Sequence, residues 1–545
     1  MKKGILASVI KWAVTIVIIA LYYWFTLPPI NLQSRDFWFF IGFIIVVSVA
    51  INAFSQLIAA IKEMKSPENV VGVPKIGFKK MAKPIKFAVI SVVSLIVLSF
   101  VMSIVGSELF NAKSYNQLIT LKDGDFVTDV AEINQEQIPV VDKDTATRLG
   151  QRKLGEMADL VSQFEIQDIY TQINYKGRPV RVTPLMYGDI IKWFNNQSEG
   201  IPAYITVDMT TQETRLVRLS EGIMYSEGEY FMRDLTRALR FKYPTKIFDN
   251  VSFEIDDNGT PYWVASVIDF KIGFWSGSDI DGAVLMNAQT GESKYYKIDE
   301  IPTWVDQVYN SSMILEQLNY NGKYRSGFFN SIFGQSGVLQ PTDGHNYLAI
   351  DDDVYLYTGM TSVTSDESNV GFVLTNLRTK ATKFYTIPGA EEYSAMDSAE
   401  GQVQHLNYTS TFPLLLNVSD RPTYFMSLKD AAGLVKMYAF VDVNQYQIVG
   451  TGSTVESARE DYISKLKTEN VSDEPEQEPE KIVKVIENIN SAVVSGNTVY
   501  YLKFADDEAI YTAVVTKSDL LPFAKAGQTV ELVLKGNVIE KIEFK

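Results

Sequence analysis

Phe87–Gly106 reads FAVISVVSLIVLSFVMSIVG, 20 residues without a charge. That is about the length a helix needs to cross the hydrocarbon core of a bilayer. Two more apolar runs precede it. Residues 4–27, GILASVIKWAVTIVIIALYYWFTL, are interrupted only by Lys11 and end in Tyr22, Tyr23 and Trp24, which suit a headgroup belt. Residues 37–61 form the second run. A cleavable signal peptide is disfavoured, because Pro28-Pro29 leads on to further apolar sequence and no small-residue cleavage site follows the first run. The chain is expected to carry a membrane anchor over 1–106, with three transmembrane helices at about 4–27, 37–61 and 87–106. Lys11 lies near the N-terminal end of its run, so its stem is expected to carry the charge to the interface.

Orientation follows from the basic residues. Lys62, Lys65, Lys75, Lys79, Lys80, Lys83 and Lys86 separate the second and third runs, while the first connection offers only Arg35. Cytoplasmic loops retain such lysines, so this segment and the N-terminus are expected in the cytoplasm, and 107–545 outside a plasma membrane. The lysines also suit anionic lipid. Of the 50 Lys+Arg and 65 Asp+Glu, 11 and three respectively fall in 1–106, so the remainder carries a net charge of about −23 within the −15 of the whole chain. A body that acidic repels nucleic acid, which is not an expected partner. No cysteine is present, which excludes disulfides, thiol nucleophiles and thiolate metal sites. A disulfide-free outer region rich in Lys, Ile and Asn fits a Gram-positive source.

Residues 107–144 read as a spacer, and 145–467 as an α+β region. A helix is predicted from Asp144, then alternating runs IQDIYTQI and PVRVTPLMY around Lys176-Gly177. Three stretches repeat one pattern: AYITVDMTTQETRLVRL from Ala203, AVLMNAQTGESKYYKI from Ala283 and FVLTNLRTKATKFYTI from Phe372. Each is an apolar strand, a turn containing Thr and a second alternating strand. Helices are expected between them: after a capping box at Ser226–Glu229, from Pro302, from Pro388-Gly389, and after Ser453 with Glu456.

A helix followed by strands ending AVLMNAQTGESKYYKI resembles PepSY-type repeats, small extracytoplasmic α+β modules of bacterial membrane-tethered proteins and peptidase propeptides. The full Thr-Gly-Glu turn stands only in the 283–298 copy; 372–387 has Arg378-Thr379-Lys380. More broadly the chain is similar to Gram-positive membrane-anchored proteins with large outer regions. That resemblance implies no reaction and no functional residues.

Residues 468–481, which include NVSDEPEQEPEK, cannot bury a core and read as an acidic linker. Beyond it, 482–545 holds five predicted strands with a short helix, SDLLPFAKAG, between the third and fourth. That arrangement is similar to an OB-type barrel, with an SH3-like barrel as the alternative. It lacks the basic, aromatic-studded stripe that single-stranded nucleic acid requires.

Chemistry is sparse. His345 and His405 are the two histidines, and Ser336, His345 and Asp351 lack any nucleophile signature around them. No catalytic residue and no cofactor is expected. Asp279, Asp281, Asp351 and Asp353 are weak calcium candidates, none fitting an EF-hand loop. In Tyr320–Gln340, seven glycines or serines intersperse Phe328, Phe329, Ile332 and Phe333, which are candidate partner or membrane contacts. The expected role is non-catalytic binding, scaffolding or regulation at a bacterial envelope, with the membrane, envelope proteins or cell-wall polymer as partners. The alternatives are a cell-wall glycan or peptide hydrolase whose paired carboxylates spacing alone does not reveal, and a subunit of a multispan transport complex.

Overall fold

The computed structural model describes residues 2–64, 83–132, 138–363, 365–470, 481–494, 497–507, 509–518, 520–535 and 538–545. The chain divides into two compact units, Met1–Lys465 and Leu466–Lys545. The first begins with helices α1 (Lys2–Thr26), α2 (Arg35–Met64) and α3 (Lys83–Val105). Ser8–Thr26 and Arg35–Ser55 are each long and apolar enough to cross a membrane. Val89–Val105 meets that measure only together with α4 (Glu108–Asn116), from which it is bent by 51°. The Lys11 ammonium donates to Asn52 Oδ1 of α2 at 2.7 Å. An acceptor at that level on the neighbouring helix offers the charge a partner within the bundle. In the basic segment, Lys65, Lys75, Lys79 and Lys80 lie outside the described residues; Lys62 falls in α2, and Lys83 and Lys86 in α3.

The stretch 107–144, expected to be a spacer, is built into the body. It supplies α4, strand β1 (Leu121–Asp123), the short α5 (Phe126–Asp129) and the start of α6 (Lys143–Gly155). Ala112 and Tyr115 of α4 bury against Ile272 and Tyr324, which apolar burial favours over solvent. Helix α6 stops at Gly155.

Four sheets follow, antiparallel except where β1 joins the third. The first holds β2 (Phe164–Ile166), β3 (Thr171–Tyr175), β4 (Arg178–Tyr187), β5 (Ile201–Asp208) and β6 (Thr214–Ile223), with α7 (Ile190–Asn196) between β4 and β5. After α8 (Leu235–Lys242) comes a plain meander, β7 (Phe248–Ile255), β8 (Pro261–Ile272), β9 (Ser276–Asn287) and β10 (Ser293–Lys297). After α9 (Ser311–Lys323) the third sheet takes β11 (Leu339–Pro341), β12 (Asn346–Ile350), β13 (Asp353–Ser362), β14 (Ser365–Asn376), β15 (Thr382–Tyr385) and β16 (Gly389–Ala390). Strand β1 joins its edge, parallel to β15. After α10 (Glu392–Gln402), β17 (Thr409–Ser410), β18 (Leu414–Val418), β19 (Arg421–Lys429), β20 (Val435–Asp442) and β21 (Val449–Gly452) form the fourth, closed by α11 (Val455–Asn470).

The third sheet is buried on both faces. Val373 packs with α9 and the second sheet, whereas its neighbours Phe372 and Leu374 pack with α10 and the fourth. Period-two alternation therefore divides one strand between two cores, which is why β14 carries apolar residues on successive positions.

The three repeated hairpins are β5–β6, β9–β10 and β14–β15, and their turns agree atom by atom. Asp208, Asn287 and Asn376 each accept, through Oδ1, the N–H groups two and three residues on, at 2.9–3.0 Å. The hydroxyls of Thr211, Thr290 and Thr379 each accept the N–H two residues on, at 3.2–3.3 Å. The next residue, Gln212, Gly291 or Lys380, is left-handed with φ of 63°, 72° and 62°. An Asx side chain mimicking a backbone turn explains why the Thr and its upstream Asx recur while the left-handed residue varies.

Three predicted helix starts move. Glu229 is drawn into the core by Tyr187 and Trp193, so the capping box does not form and Asp234 caps α8 instead. Pro302 opens a loop; Asn310 caps α9 through Met313 N at 2.7 Å. Thr454, not Ser453, accepts the Ser457 N–H at the head of α11.

The second unit is a closed barrel of β22 (Lys481–Val494), β23 (Asn497–Phe504), β24 (Ile510–Val514), β25 (Thr529–Lys535) and β26 (Val538–Phe544), ordered β22-β23-β24-β26-β25. Long β22 pairs with β25 through its first half and β23 through its second, and shifts register between Ile486 and Asn488. Ile486, Leu502, Phe504, Leu532 and Ile539 fill the interior. The predicted helix between β24 and β25 is two 3-10 turns, Val515–Lys517 and Leu521–Phe523, since Pro522 cannot supply an interior helical N–H. Residues 471–480 of the expected linker lie outside the described residues.

Two substitutions separate turn chemistry from side-chain pairing. Gln212→Gly relieves a left-handed side chain and is expected to stabilise by about 0.5–1 kcal/mol. Lys380→Gly does the same to the backbone but removes a 2.6 Å ion pair with Asp279 in which both side chains are 15% exposed; a net loss is expected. Urea unfolding of both variants checks the pair of signs.

Candidate functional site

A groove of about 590 Å3 opens where the first sheet meets the β7–β8 turn. Its walls come from β3 to β6 and from Asn258-Gly259-Thr260. Tyr204 spans the two sides, donating from its hydroxyl to Gly259 O at 2.9 Å, and burial pushes its phenol up to about 12. Tyr175 presents a ring with the Lys176 ammonium 4.9 Å from its centroid. The cations are fixed in place: Arg178 reaches Asp208 at 3.1 Å, Arg215 makes two 2.8 Å bonds to Glu213, and Arg218 meets Asp159 at 2.7 Å. Such a lining offers an aromatic face and directional donors and acceptors, which suits binding of a polar, extended ligand. The sequence showed one turn at its rim, Lys176-Gly177. The groove itself joins residues from five strands and had no linear signature.

Buried acids form a second constellation. Glu254 and Asp306 are fully buried. Glu254 accepts from the N–H groups of Asp306 (2.8 Å) and Gln307 (3.0 Å) and from Ser252 Oγ (2.9 Å), while Asp306 Oδ2 accepts the N–H of Asn174 at 2.7 Å. Burial pushes Glu254 up to about 7. Asp306 rises well above the usual carboxylate range, through burial first and then through Glu254, with Asp353 and Asp352 adding to it. Glu229, held by Tyr187 Oη at 2.9 Å and Trp193 Nε1 at 2.7 Å, and Glu392, held by Tyr357 Oη at 2.7 Å and Asn369 Nδ2 at 3.0 Å, are also raised by burial. Shifted acids often mark active sites. Here all four are sealed from solvent and held mainly by donors from other segments, an arrangement that braces sheets, and Asp306 Oδ1 is left without a hydrogen-bond partner.

The residues singled out in the sequence are dispersed. Asp279 is taken by Lys380, Asp281 by Tyr295 at 2.6 Å and Lys246 at 3.6 Å, and Asp353 by Arg378 through two bonds of 2.7 and 2.8 Å. Asp351 sits in the β12–β13 turn with φ of 55°. Among the described residues no three His, Asp or Glu gather as metal ligands do. No hydrogen bond among the described residues joins Ser336, His345 and Asp351; His345 Nε2 lies 3.3 Å from Tyr347 Oη. In the aromatic loop the four candidates divide. Phe328 stacks on Tyr324 at 6.2 Å between centroids and packs with Tyr115 and Ile272, whereas Phe329, Ile332 and Phe333 are exposed on a π-helical turn, Asn330–Gly334.

No family model and no curated protein matches the chain. Among solved structures, a crystal structure of a mutant B. megaterium levansucrase is similar over 76% of this chain and 97% of that one, at 9% identity and a TM-score of 0.17.

The buried pair sets a pH dependence. A carboxyl whose folded pKa exceeds its unfolded value binds an extra proton in the fold, so stability falls as pH rises. The loss runs from the ordinary 4.5 of Glu254 through about 7. Asp306→Asn keeps an oxygen for the Asn174 N–H and drops one buried acid. It is expected to flatten that slope and to raise stability at pH 8 by about 1 kcal/mol or more, read from thermal melts across pH. In the aromatic loop, Phe328→Ser should cost roughly 1–3 kcal/mol, while Phe329→Ser with Phe333→Ser should leave the melt unchanged.

Proposed function

We propose that the protein is a membrane-anchored, extracytoplasmic binding and scaffolding protein of a Gram-positive envelope, without catalysis. In this reading α1, α2 and α3 are three spans, the N-terminus is cytoplasmic, and 107–545 lies outside. The observation that carries it is the way the body is bonded to the ends of the apolar helices. Arg240, buried in α8, donates from Nε to Leu27 O at 2.9 Å, and Arg237 lies 4.4 Å from the centroid of Trp24. Ile30 N donates to Pro244 O at 2.7 Å. At the other exit Tyr115 Oη donates to Gly106 O at 2.8 Å, and a Cβ on Gly273 would stand 3.0 Å from Gly106 Cα. A body so fixed holds one orientation over the bilayer, as a scaffold requires.

The recurrent Asx–Thr turn in three helix-plus-meander units supports kinship with PepSY-type modules. The barrel order, with β22 closing on β25 and β24 parallel to β26, supports an OB-like reading of the tail. The groove at Tyr175 is the proposed contact for cell-wall polymer, and the role requires no cofactor.

Orientation is checked by single cysteines. Gly401→Cys, at an exposed helix position where a Cβ meets nothing within 4 Å, should react in intact cells with an impermeant thiol reagent, and Gly72→Cys should not. The reverse pattern would overturn the topology. For the groove, full-length protein should sediment with isolated cell-wall sacculi. Tyr175→Ala should weaken that by roughly fivefold, the worth of about 1 kcal/mol of aromatic contact.

A further inference from the structure

An apolar cleft and a polar chamber meet at the membrane-facing end of the body, and they share two walls. The cleft, about 550 Å3, lies between α2 and α3, lined by Phe39, Gly42 and Val46 on one side and Leu95, Ile96 and Ser99 on the other. Its volume falls within the roughly 300–1,000 Å3 usual for small-molecule sites. The chamber, about 240 Å3, lies between the β8–β9 turn, α4 and α9, and is lined by Tyr115, Ser276, Ser278, Glu316, Gln317 and Tyr320. Arg35 and Trp275 line both spaces.

Polar groups around this junction lack partners. Trp275 is 8% exposed and Gln317 1%, yet the Trp275 Nε1–H and Gln317 Oε1 have no hydrogen-bond partner. The Gln317 amide nitrogen is already committed to Ser278 O at 2.9 Å, which leaves its oxygen toward a donor. Arg35 makes no hydrogen bond or ion pair among the described residues, and it stands at the N-terminus of a 30-residue helix, where backbone N–H groups add positive potential. Glu316 accepts from Tyr320 Oη at 2.9 Å, with a second carboxylate oxygen to spare. Buried donors and acceptors left open cost free energy unless something meets them.

We propose that this junction binds one membrane lipid. Its acyl chain lies in the α2–α3 cleft. Its phosphate takes the Arg35 guanidinium and the Trp275 N–H, and head-group hydroxyls donate to Gln317 Oε1 and Glu316. The chemistry calls for a head that carries both an anionic acceptor and hydroxyl donors, as in phosphatidylglycerol. A phosphoethanolamine head has the acceptor but no hydroxyl, and a free glycerol phosphate has no chain for the cleft. Gly42 fits this assignment: a Cβ there would meet nothing within 4 Å, so the missing side chain leaves the cleft open.

The inference rests on the membrane reading of α2 and α3, and the experiment separates the two. Full-length protein is first tested for resistance to alkaline extraction from membranes; release by alkali would overturn the membrane reading itself. Resistant protein is then purified in detergent, loaded with phosphatidylglycerol and washed by detergent exchange, and retained lipid is read by native mass spectrometry. The wild type should keep one phosphatidylglycerol. Gly42→Phe fills the cleft, and Trp275→Phe keeps the ring while removing the donor; each should lower affinity about tenfold, the worth of roughly 1.4 kcal/mol. Ile16→Phe, at an exposed position of α1 outside the cleft, should bind as the wild type does. Equal retention by Gly42→Phe and Trp275→Phe would overturn the proposal and leave only lipid of the surrounding annulus. Equal retention of phosphatidylethanolamine would overturn the assignment of the head, and equal binding of glycerol 1-phosphate would overturn that of the chain.

Discussion

The contact between Glu254 and the backbone of Asp306 and Gln307 is the constraint on which the body depends. It ties the end of β7 to the loop entering α9, and Asp306 passes the tie on to β3 through the Asn174 N–H. Strands of the first two sheets and the loop before α9 are thus fixed by two side chains. Burial of the pair is unfavourable to charge, and protonation lowers that cost. Glu229 and Glu392 repeat the device in the first and third sheets, each held by aromatic donors. A chain without cysteine cannot staple its modules covalently; here buried acids with directional donors do the cross-bracing, at the expense of sensitivity to pH.

The same logic extends to the ends of the apolar helices. Arg240 is buried and spends its donors on carbonyl oxygens of Leu27 and Lys246, the latter at 2.5 Å. Carbonyls at a helix C-terminus have no intrahelical partner, so a cation placed there both satisfies them and answers the helix dipole. The exit of α3 uses a different device, close approach at two glycines: a Cβ on Gly273 would crowd Gly106 Cα, and one on Gly106 would clash with the Ser276 side chain. Both fix the angle at which helix and body meet. With α4 and β1 absorbed into the fold, the chain passes from α3 directly into the body.

Much of this was legible in the sequence, and the failures share a cause. The apolar helices, the three hairpins and the five barrel strands were visible because each rests on local periodicity. The hairpins were found by their strands and Thr; the Asx residues Asp208, Asn287 and Asn376, which organise the turns, look like ordinary strand-end polars until their Oδ1 contacts are seen. Helix starts were misplaced wherever a capping residue had a better tertiary use, as with Glu229. The spacer reading of 107–144 failed because short amphipathic pieces show too few periods to register, although their partners, Tyr320 and Tyr324, lie 200 residues away. Groove and chamber were invisible for the same reason, since neither takes more than a few residues from any one element.

The aromatic loop shows how one stretch serves both ends of this scheme. Phe328 is held by Tyr324, and Tyr324 by Glu108 at the start of α4. The loop therefore hangs from the same joint that anchors the third apolar helix. Despite its glycines the loop is internally bonded: Ser331 donates to Phe328 O at 2.7 Å and Asn330 to Ser336 O at 3.0 Å, closing a compact turn. Phe329, Ile332 and Phe333 are consequently displayed on a rigid support near the exit of α3. Exposed apolar groups lose little entropy on binding when the backbone beneath them is already ordered. A preorganised apolar knob beside the end of α3 is favoured at an apolar boundary, and its fixed shape comes from the packing of Phe328 beneath it.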